Sequence, residues 1–208
     1  MVSNLFKSKI NIEKYGDLVY KEATSTLKKI KHDFNEEDVY VFGIYTSNEL
    51  TYLCPTFNTI KGLNLLAESY SNSESNQMSS GELFIHLKWS FPADWHYHST
   101  YDCYDNISEI GYLFRDEIDK YLNSHPESDL AQKNTNKVFD KFKFSILDAI
   151  KRLRIDSKDS NILFNLFIGD QDDVERLEFA KYINTTIIYL KYKSELEEAD
   201  RIWKKYHK

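Results

Sequence analysis

Hydrophobic residues recur at steps of three and four over much of the chain, which is the period of a helix with one buried face. The first such stretch, residues 11–32, ends in Lys28, Lys29 and Lys31, cations that suit the negative end of a helix dipole. The same spacing predicts five further helices, over residues 58–70, 107–125, 129–154, 172–183 and 185–206.

Four shorter runs are rich in β-branched and aromatic residues, which favour strands. They are residues 39–45, 50–54, 83–89 and 161–168. The first two flank a polar stretch at residues 46–49, and this arrangement predicts a β-hairpin. Pro55 is expected to end the second strand, because proline has no N–H to donate to a strand ladder.

Segregated strands and helices with an early hairpin predict the α+β fold class. We expect a mainly antiparallel β-sheet of about four or more strands, with helices packed on at least one face. Residues 1–208 are expected to form a single domain, since domains commonly contain roughly 100–200 residues. The polar residues 71–81 offer little to bury, so they predict an exposed loop.

The charge balance narrows the classes of partner. The chain carries 27 Lys+Arg against 33 Asp+Glu, a formal net charge of −6, which argues against a general nucleic-acid-binding protein.

The chain's apolar runs are far shorter than the roughly 20 residues that cross a bilayer, and residues 1–10 lack the apolar core of a secretory signal. Cys54 and Cys103 could pair in principle, but we expect two reduced thiols in a cytoplasmic protein.

The densest chemistry lies between Trp89 and Tyr104, a stretch in which aromatic side chains alternate with histidines and acids. Tyr and Trp supply large contact area at low entropic cost and dominate protein interfaces. We therefore predict a partner-binding set consisting of Trp95, Tyr97, His98 and Tyr101. The alternative interpretation is that Trp89 and Trp95 fill the core while the histidines lie near the surface.

A second hypothesis makes the same stretch a metal site. His96 and His98 would point to one face of an extended strand, and Asp102 and Cys103 could complete the ligand set. This arrangement would support a metal-dependent or hydrolase-like enzyme. The chain has no Cys-x-x-Cys pair, no His-Glu-x-x-His motif, no nucleophile elbow and no phosphate-binding loop, so no catalytic residues are predicted.

The acidic residues 169–175 allow two interpretations. Carboxylates at the end of a strand could hold Mg²⁺. Helix capping explains the same spacing, with Asp170 as the N-cap and Asp173 three residues later, in a first turn where acids suit the helix dipole.

Three stretches carry a resemblance to a known family. The leading helix runs into residues 38–46, Asp-Val-Tyr-Val-Phe-Gly-Ile-Tyr-Thr, and on to residues 54–59, Cys-Pro-Thr-Phe-Asn-Thr. Residues 88–97 read Lys-Trp-Ser-Phe-Pro-Ala-Asp-Trp-His-Tyr, and a strand followed by acids occupies residues 162–170. Together they resemble the bacterial DUF4303 family of uncharacterised proteins, with its Trp-Ser-Pro-x-x-Trp-x-Tyr signature. The resemblance implies no established activity, and it points to binding because some relatives look associated with toxin–immunity loci.

Taken together, these observations predict a cytoplasmic bacterial protein-binding module. It would mask a partner protein such as a toxin, and its acidic surface would favour a basic partner. We expect no cofactor, no nucleic-acid partner and no membrane partner. The metal-dependent or hydrolase-like enzyme built on His96, His98, Asp102 and Cys103 is the alternative.

Overall fold

The computed structural model describes residues 11–73, 77–98, 100–126 and 128–207. Within them a small mixed sheet of three strands is accompanied by seven α-helices, so the protein is α+β and mostly helical. The elements in chain order are α1 (Ile12–Asp33), β1 (Val39–Thr46), β2 (Cys54–Thr59), α2 (Ile60–Ser71), α3 (Ser80–Lys88), α4 (Asp105–Ser124), α5 (Asp129–Ser157), β3 (Leu163–Ile168), α6 (Asp173–Ile183) and α7 (Thr186–Tyr206).

Side-chain caps mark the starts of several helices. Asn11 accepts a hydrogen bond from the backbone N–H of Lys14 at 3.1 Å, and Thr59 accepts one from Gly62 at 2.9 Å. The cap of α6 differs from the prediction, because Asp172 rather than Asp170 accepts the bond from Glu175.

The sheet has the order β2-β1-β3, with β1 in the centre. β1 pairs antiparallel with β2 and parallel with β3. The predicted sheet of four or more mainly antiparallel strands is therefore wrong in both strand number and direction.

The missing strand is the run at residues 83–89, which forms most of α3. Ser79 and Glu82 form a capping box that starts this helix, and Leu83 and Leu87 then bury one helical face. An apolar run this short does not distinguish a helix from a strand by its periodicity. The capping box that decides between them begins at Ser79, inside the polar stretch 71–81 predicted to be a loop, of which residues 74–76 lie outside the described residues.

The predicted hairpin exists, but its second strand is displaced along the chain. β2 begins at Cys54 rather than ending there, and Pro55 lies opposite Ile44 of β1. Proline is tolerated because β2 is an edge strand, which needs N–H donors only towards β1. The preceding connection contains Leu50, which is fully buried and adopts a left-handed conformation with φ of 55°, a backbone region that non-glycine residues seldom occupy.

Helices cover both faces of the sheet. Phe42, Ile44 and Phe164 belong to a core that includes residues of α1, α4 and α5. Val41 and Phe167 point to the opposite core, which is shared with α2, α3 and α7. The alternation follows from the period of two along a strand.

Gly43 of β1 lies on the second of these faces, where the neighbouring strand approaches closely. A Cβ atom built there would lie 2.5 Å from the carbonyl oxygen of Asn165 and 2.6 Å from the ring of Phe167. Both distances are far below van der Waals contact. A side chain at this position would therefore force β3 or its phenylalanine ring to move.

Side chains occupy the backbone N–H groups on the outer edge of β3. Asn184, which follows α6, accepts a hydrogen bond from the Phe164 N–H at 3.0 Å and donates to the Phe164 carbonyl at 2.7 Å. Its amide thereby occupies both backbone groups of Phe164. Its Nδ2 also donates to the carbonyl of Ala180 at 2.9 Å, which ties the end of α6 to the sheet. Further along the same edge, Asn165 Oδ1 accepts from the Leu166 N–H at 3.1 Å and Gln171 Oε1 accepts from the Ile168 N–H at 3.3 Å.

No helix among the described residues is long and apolar enough to cross a membrane.

We predict that Asn184→Ala destabilises the protein by about 1–3 kcal/mol for each of the two Phe164 backbone groups left without a partner. Urea unfolding monitored by circular dichroism measures the change. Asn161→Ala, at an exposed position just before β3, is the matched control and is expected to change stability by less than about 0.5 kcal/mol. Equal effects of the two substitutions would contradict the role given to Asn184.

A second prediction concerns the contact between α3 and α7. Glu82 accepts hydrogen bonds from Lys205 at 2.6 Å and from Tyr206 at 2.8 Å, as well as from Ser79. The Lys205 ammonium first, and then the Ser79 and Tyr206 donors, lower the pKa of the Glu82 carboxyl from 4.5 to about 2. A carboxyl whose pKa is lower in the folded state adds stability above its ordinary pKa, and this is lost as pH falls towards the folded value.

Glu82→Gln should therefore be less stable than the parent near neutral pH, and the difference should shrink as pH falls from about 4.5 towards about 2. Denaturant midpoints at a series of pH values measure it. Glu198→Gln, on the exposed side of α7, is the control. A stability difference that stays constant down to acidic pH would refute the prediction.

Candidate functional site

The second half of the stretch from Trp89 to Tyr104 lies against the edge strand β2. The ring of Tyr97 stacks on Phe57, with centroids 5.3 Å apart and planes 5° from parallel, and the backbone N–H of Tyr104 donates to Leu53 at 2.9 Å. An uncovered edge strand invites pairing with other chains. Residues 97, 98 and 100–104 therefore occupy part of the surface beside the second edge of the sheet.

Both tryptophans of this stretch are buried. Trp89 donates from Nε1 to Glu195 at 2.8 Å, and Trp95, only 3% exposed, packs edge-to-face on Phe167 with centroids 5.3 Å apart. The structure thus fits the core interpretation for the tryptophan pair. Trp95 is not available at the surface, unlike the other members of the predicted partner-binding set.

A buried arginine attaches the stretch to α6, and the sequence pattern did not single it out. Arg176 is 5% exposed and donates from one guanidinium nitrogen to the carbonyl of Trp89 at 3.0 Å and from the other to Asp173 at 3.2 Å. Its guanidinium lies 5.9 Å from the ring centroid of Phe167. An arginine in an acidic helix start resembles a solvated residue, so only the packing reveals this role.

The tyrosines of the stretch are held by two carboxylates, one at the end of α1 and one in the connection from α1 to β1. Tyr97 donates to Glu37 Oε2 at 3.0 Å, and Tyr101 donates to Asp33 Oδ2 at 2.7 Å. Partial burial, together with the Asp33 carboxylate, raises the pKa of Tyr101 to about 12. Both rings are partly exposed and fixed in orientation.

The two carboxylates remain ionised at neutral pH. Burial alone would raise the pKa of Glu37, but hydrogen bonds from Thr59, Lys61 and Tyr97 outweigh it and hold the pKa below its ordinary value. Hydrogen bonds from His32 and then Tyr101 lower the pKa of Asp33. The tyrosines therefore lie against fixed negative charges.

His96 extends this surface outwards. Its exposed ring packs edge-on against Tyr97, with centroids 4.7 Å apart. We call the group formed by His96, Tyr97, Tyr101, Asp33 and Glu37 the tyrosine–carboxylate surface.

His98 has a different environment from the other predicted surface residues. Its Nδ1 lies 3.1 Å from Thr56 Oγ1, and its ring meets Tyr45 edge-on at 4.9 Å. Burial lowers the pKa of His98, and the Asp94 carboxylate opposes that shift. The imidazole is therefore neutral near pH 7 and binds to β2 rather than to the tyrosine–carboxylate surface.

The predicted metal ligands are not brought together. His96 and Asp102 are exposed, His98 contacts Thr56, and Cys103 is covalently bonded to Cys54. The described residues contain no group of three or more His, Cys, Asp or Glu side chains that could hold a metal ion.

The disulfide also overturns the prediction of two reduced thiols. Cys54 begins β2, and the stretch after Trp95 returns along that strand to place Cys103 beside it. The pairing depends on this return of the chain, which the local sequence around each cysteine does not show.

Comparisons with known proteins give one match. A family model described as a domain of unknown function, DUF4303, matches residues 19–185, which include the whole sheet and the stretch from Trp89 to Tyr104. Comparisons with curated proteins and with solved structures give no significant match. The family resemblance of the sequence is confirmed, and the chain belongs to the DUF4303 family.

Proposed function

We propose that the protein is a binding module that holds a basic partner protein on its tyrosine–carboxylate surface. The observation that supports this most directly is the pairing of two partly exposed tyrosines with two ionised carboxylates, Tyr97 with Glu37 and Tyr101 with Asp33. Such a surface offers aromatic contact area and negative charge at the same place.

The aromatic part of the surface is preorganised. Tyr97 is stacked on Phe57 on one side, and Phe34 meets it edge-on with centroids 4.8 Å apart. Gly62 allows this packing, since a Cβ there would lie 2.7 Å from the Tyr97 ring. Side chains already fixed before binding lose little conformational entropy on association, so more of the contact energy remains as affinity.

The charge around the surface favours a basic partner. Besides Asp33 and Glu37, the adjoining chain contributes further acidic residues: Glu36, Asp38, Asp102 and Asp105. Lys61 neutralises part of this charge through its ion pair with Glu37 at 3.1 Å. An acidic surface increases the rate of encounter with a positively charged protein and disfavours acidic ones.

The finer proposal is that binding masks the partner, as an immunity protein masks a toxin. A toxin that acts on nucleic acid carries the kind of basic surface that would fit here, because it must contact phosphates. The resemblance described from the sequence, to a family some of whose members look associated with toxin–immunity loci, is the reason for choosing a toxin as the example. The alternative enzyme built on His96, His98, Asp102 and Cys103 lacks support, because the four residues do not converge.

The first test is capture from the native host and from products of adjacent genes, followed by titration calorimetry with the purified partner. We predict a basic partner whose affinity falls about 30-fold, ~2 kcal/mol, when Tyr97→Ala and Tyr101→Ala are combined. Tyr112→Ala, at a tyrosine of α4 that is 58% exposed, is the control and is expected to leave affinity unchanged. Tyr97→Phe keeps the ring and separates packing from the hydrogen bond to Glu37.

If the double variant is folded by circular dichroism and binds as tightly as the parent, the proposed surface is wrong. A captured partner that is acidic would equally oppose the proposal.

The charge contribution has a separate signature in the kinetics. Asp33→Asn with Glu37→Gln should lower the association rate constant about tenfold at low salt, and the two rates should converge at high salt. The matched control removes two charges from exposed positions of α4, Glu109→Gln with Asp116→Asn. Surface plasmon resonance at several salt concentrations measures both, and a salt-independent or equal effect would remove the electrostatic part of the proposal.

A further inference from the structure

We propose that the Cys54–Cys103 disulfide is a thiol–disulfide exchange site, cleaved by a thiol or dithiol reductant that attacks Cys103. The inference goes beyond the proposed function and does not require a partner protein. It depends on the position of the bond, the exposure of its two ends and the charges beside it.

The two ends of the bond differ in access. Cys103 is exposed, whereas Cys54 is partly buried at the start of β2. Exchange requires the attacking thiolate to reach one sulfur from outside. The exposed end makes Cys103 Sγ the attacked atom and Cys54 Sγ the leaving group.

The bond cross-links two elements that are far apart in sequence. It joins residues separated by 49 positions and attaches the stretch that carries Tyr97 and Tyr101 to the beginning of β2. One cleavage therefore removes a covalent attachment of the tyrosine–carboxylate surface.

Other attachments remain when the bond is cut. The backbone of Tyr104 still donates to Leu53 at 2.9 Å, and its buried hydroxyl still donates to Thr26 at 3.2 Å. At the other end Trp95 stays in the core. Reduction should therefore change the surface between these two anchors without unfolding the domain core.

The chemistry balances with the reductant supplied from outside. A thiolate of the reductant attacks Cys103 Sγ, a new S–S bond forms, and Cys54 leaves as a thiolate that takes up a proton. The second thiol of a dithiol then attacks the mixed disulfide and releases Cys103 as a thiol. Two electrons and two protons pass to the protein, and the reductant becomes a disulfide.

Two carboxylates select among reductants. Exposed Asp102 directly precedes Cys103, and exposed Asp105 follows two residues later. Their negative charge repels an anionic thiol as it approaches and attracts a cationic one. Cationic and neutral thiols should therefore react faster than acidic thiols of equal nucleophilicity.

The experiment uses the full chain and three small thiols at equal thiolate concentration: cysteamine, 2-mercaptoethanol and mercaptoethanesulfonate. Alkylation with iodoacetamide and mass spectrometry follow the loss of the disulfide. We expect cysteamine to react about five- to tenfold faster than mercaptoethanesulfonate at low salt, with the ratio falling towards one at about 1 M salt. The trapped mixed disulfide should map to the peptide that contains Cys103.

Asp102→Asn should lower the rate ratio by about half, and Asp116→Asn, on the exposed face of α4, should leave it unchanged. Hydrogen exchange on the reduced protein should increase around Tyr97 and Tyr101 and remain unchanged in β3 and α5. A mixed disulfide on Cys54, a rate ratio of one at low salt, reduction only in denaturant, or loss of protection throughout the chain would each overturn the proposal. Because no readout uses a partner, failure of the proposed function leaves this result unaffected.

Discussion

In this three-stranded sheet only β1 has a neighbour on each side, so β2 and β3 both leave an edge that could pair with another chain. Protecting these two edges is the constraint on which the rest of the structure depends. At the edge of β3, Asn184, Asn165 and Gln171 hydrogen-bond to the backbone of Phe164, Leu166 and Ile168. At the other edge, residues 97, 98 and 100–104 lie against β2, and the stretch that contains them is held by buried tryptophans, Arg176 and a disulfide. Because these residues are held against the edge strand, their tyrosines have fixed positions at the surface.

The candidate surface is therefore a by-product of edge protection. Tyr97 packs on Phe57 of β2 and reaches Glu37, which itself accepts a bond from Thr59 at the end of the same strand. The acidic connection that follows α1 is drawn to the same place by these bonds. Aromatic rings and carboxylates thus meet beside the edge of the sheet. The proposed binding role uses contacts that already hold this part of the fold together.

The helices could largely be predicted from the sequence, because their periodicity and caps are local properties. α3 could not, since five apolar residues fit a strand as well as a helix and its capping box lies in a polar stretch. The sheet was predicted poorly for a related reason: pairing of β1 with β3 joins residues more than a hundred positions apart. The displacement of β2 past Pro55 depends on its being an edge strand, which only the sheet order reveals.

The candidate site shows the same difference between local features, which the sequence reveals, and long-range contacts, which it does not. The sequence located the aromatic stretch and the core interpretation of its tryptophans, since composition is visible there. It could not identify Glu37 and Asp33 as the partners of Tyr97 and Tyr101, because 60 and 68 residues separate each pair. The disulfide and Arg176 depend on similar long-range returns of the chain.

The two bonds from Asn184 to Phe164 also limit how this architecture can change. The asparagine amide makes the same two hydrogen bonds as one residue of a neighbouring strand, but it offers no continuing backbone for further pairing. The sheet therefore ends at this side chain. A fourth strand on that side would first have to displace the amide and detach the end of α6. Divergence within such a scaffold is therefore easier in its helices and connections than in the width of its sheet.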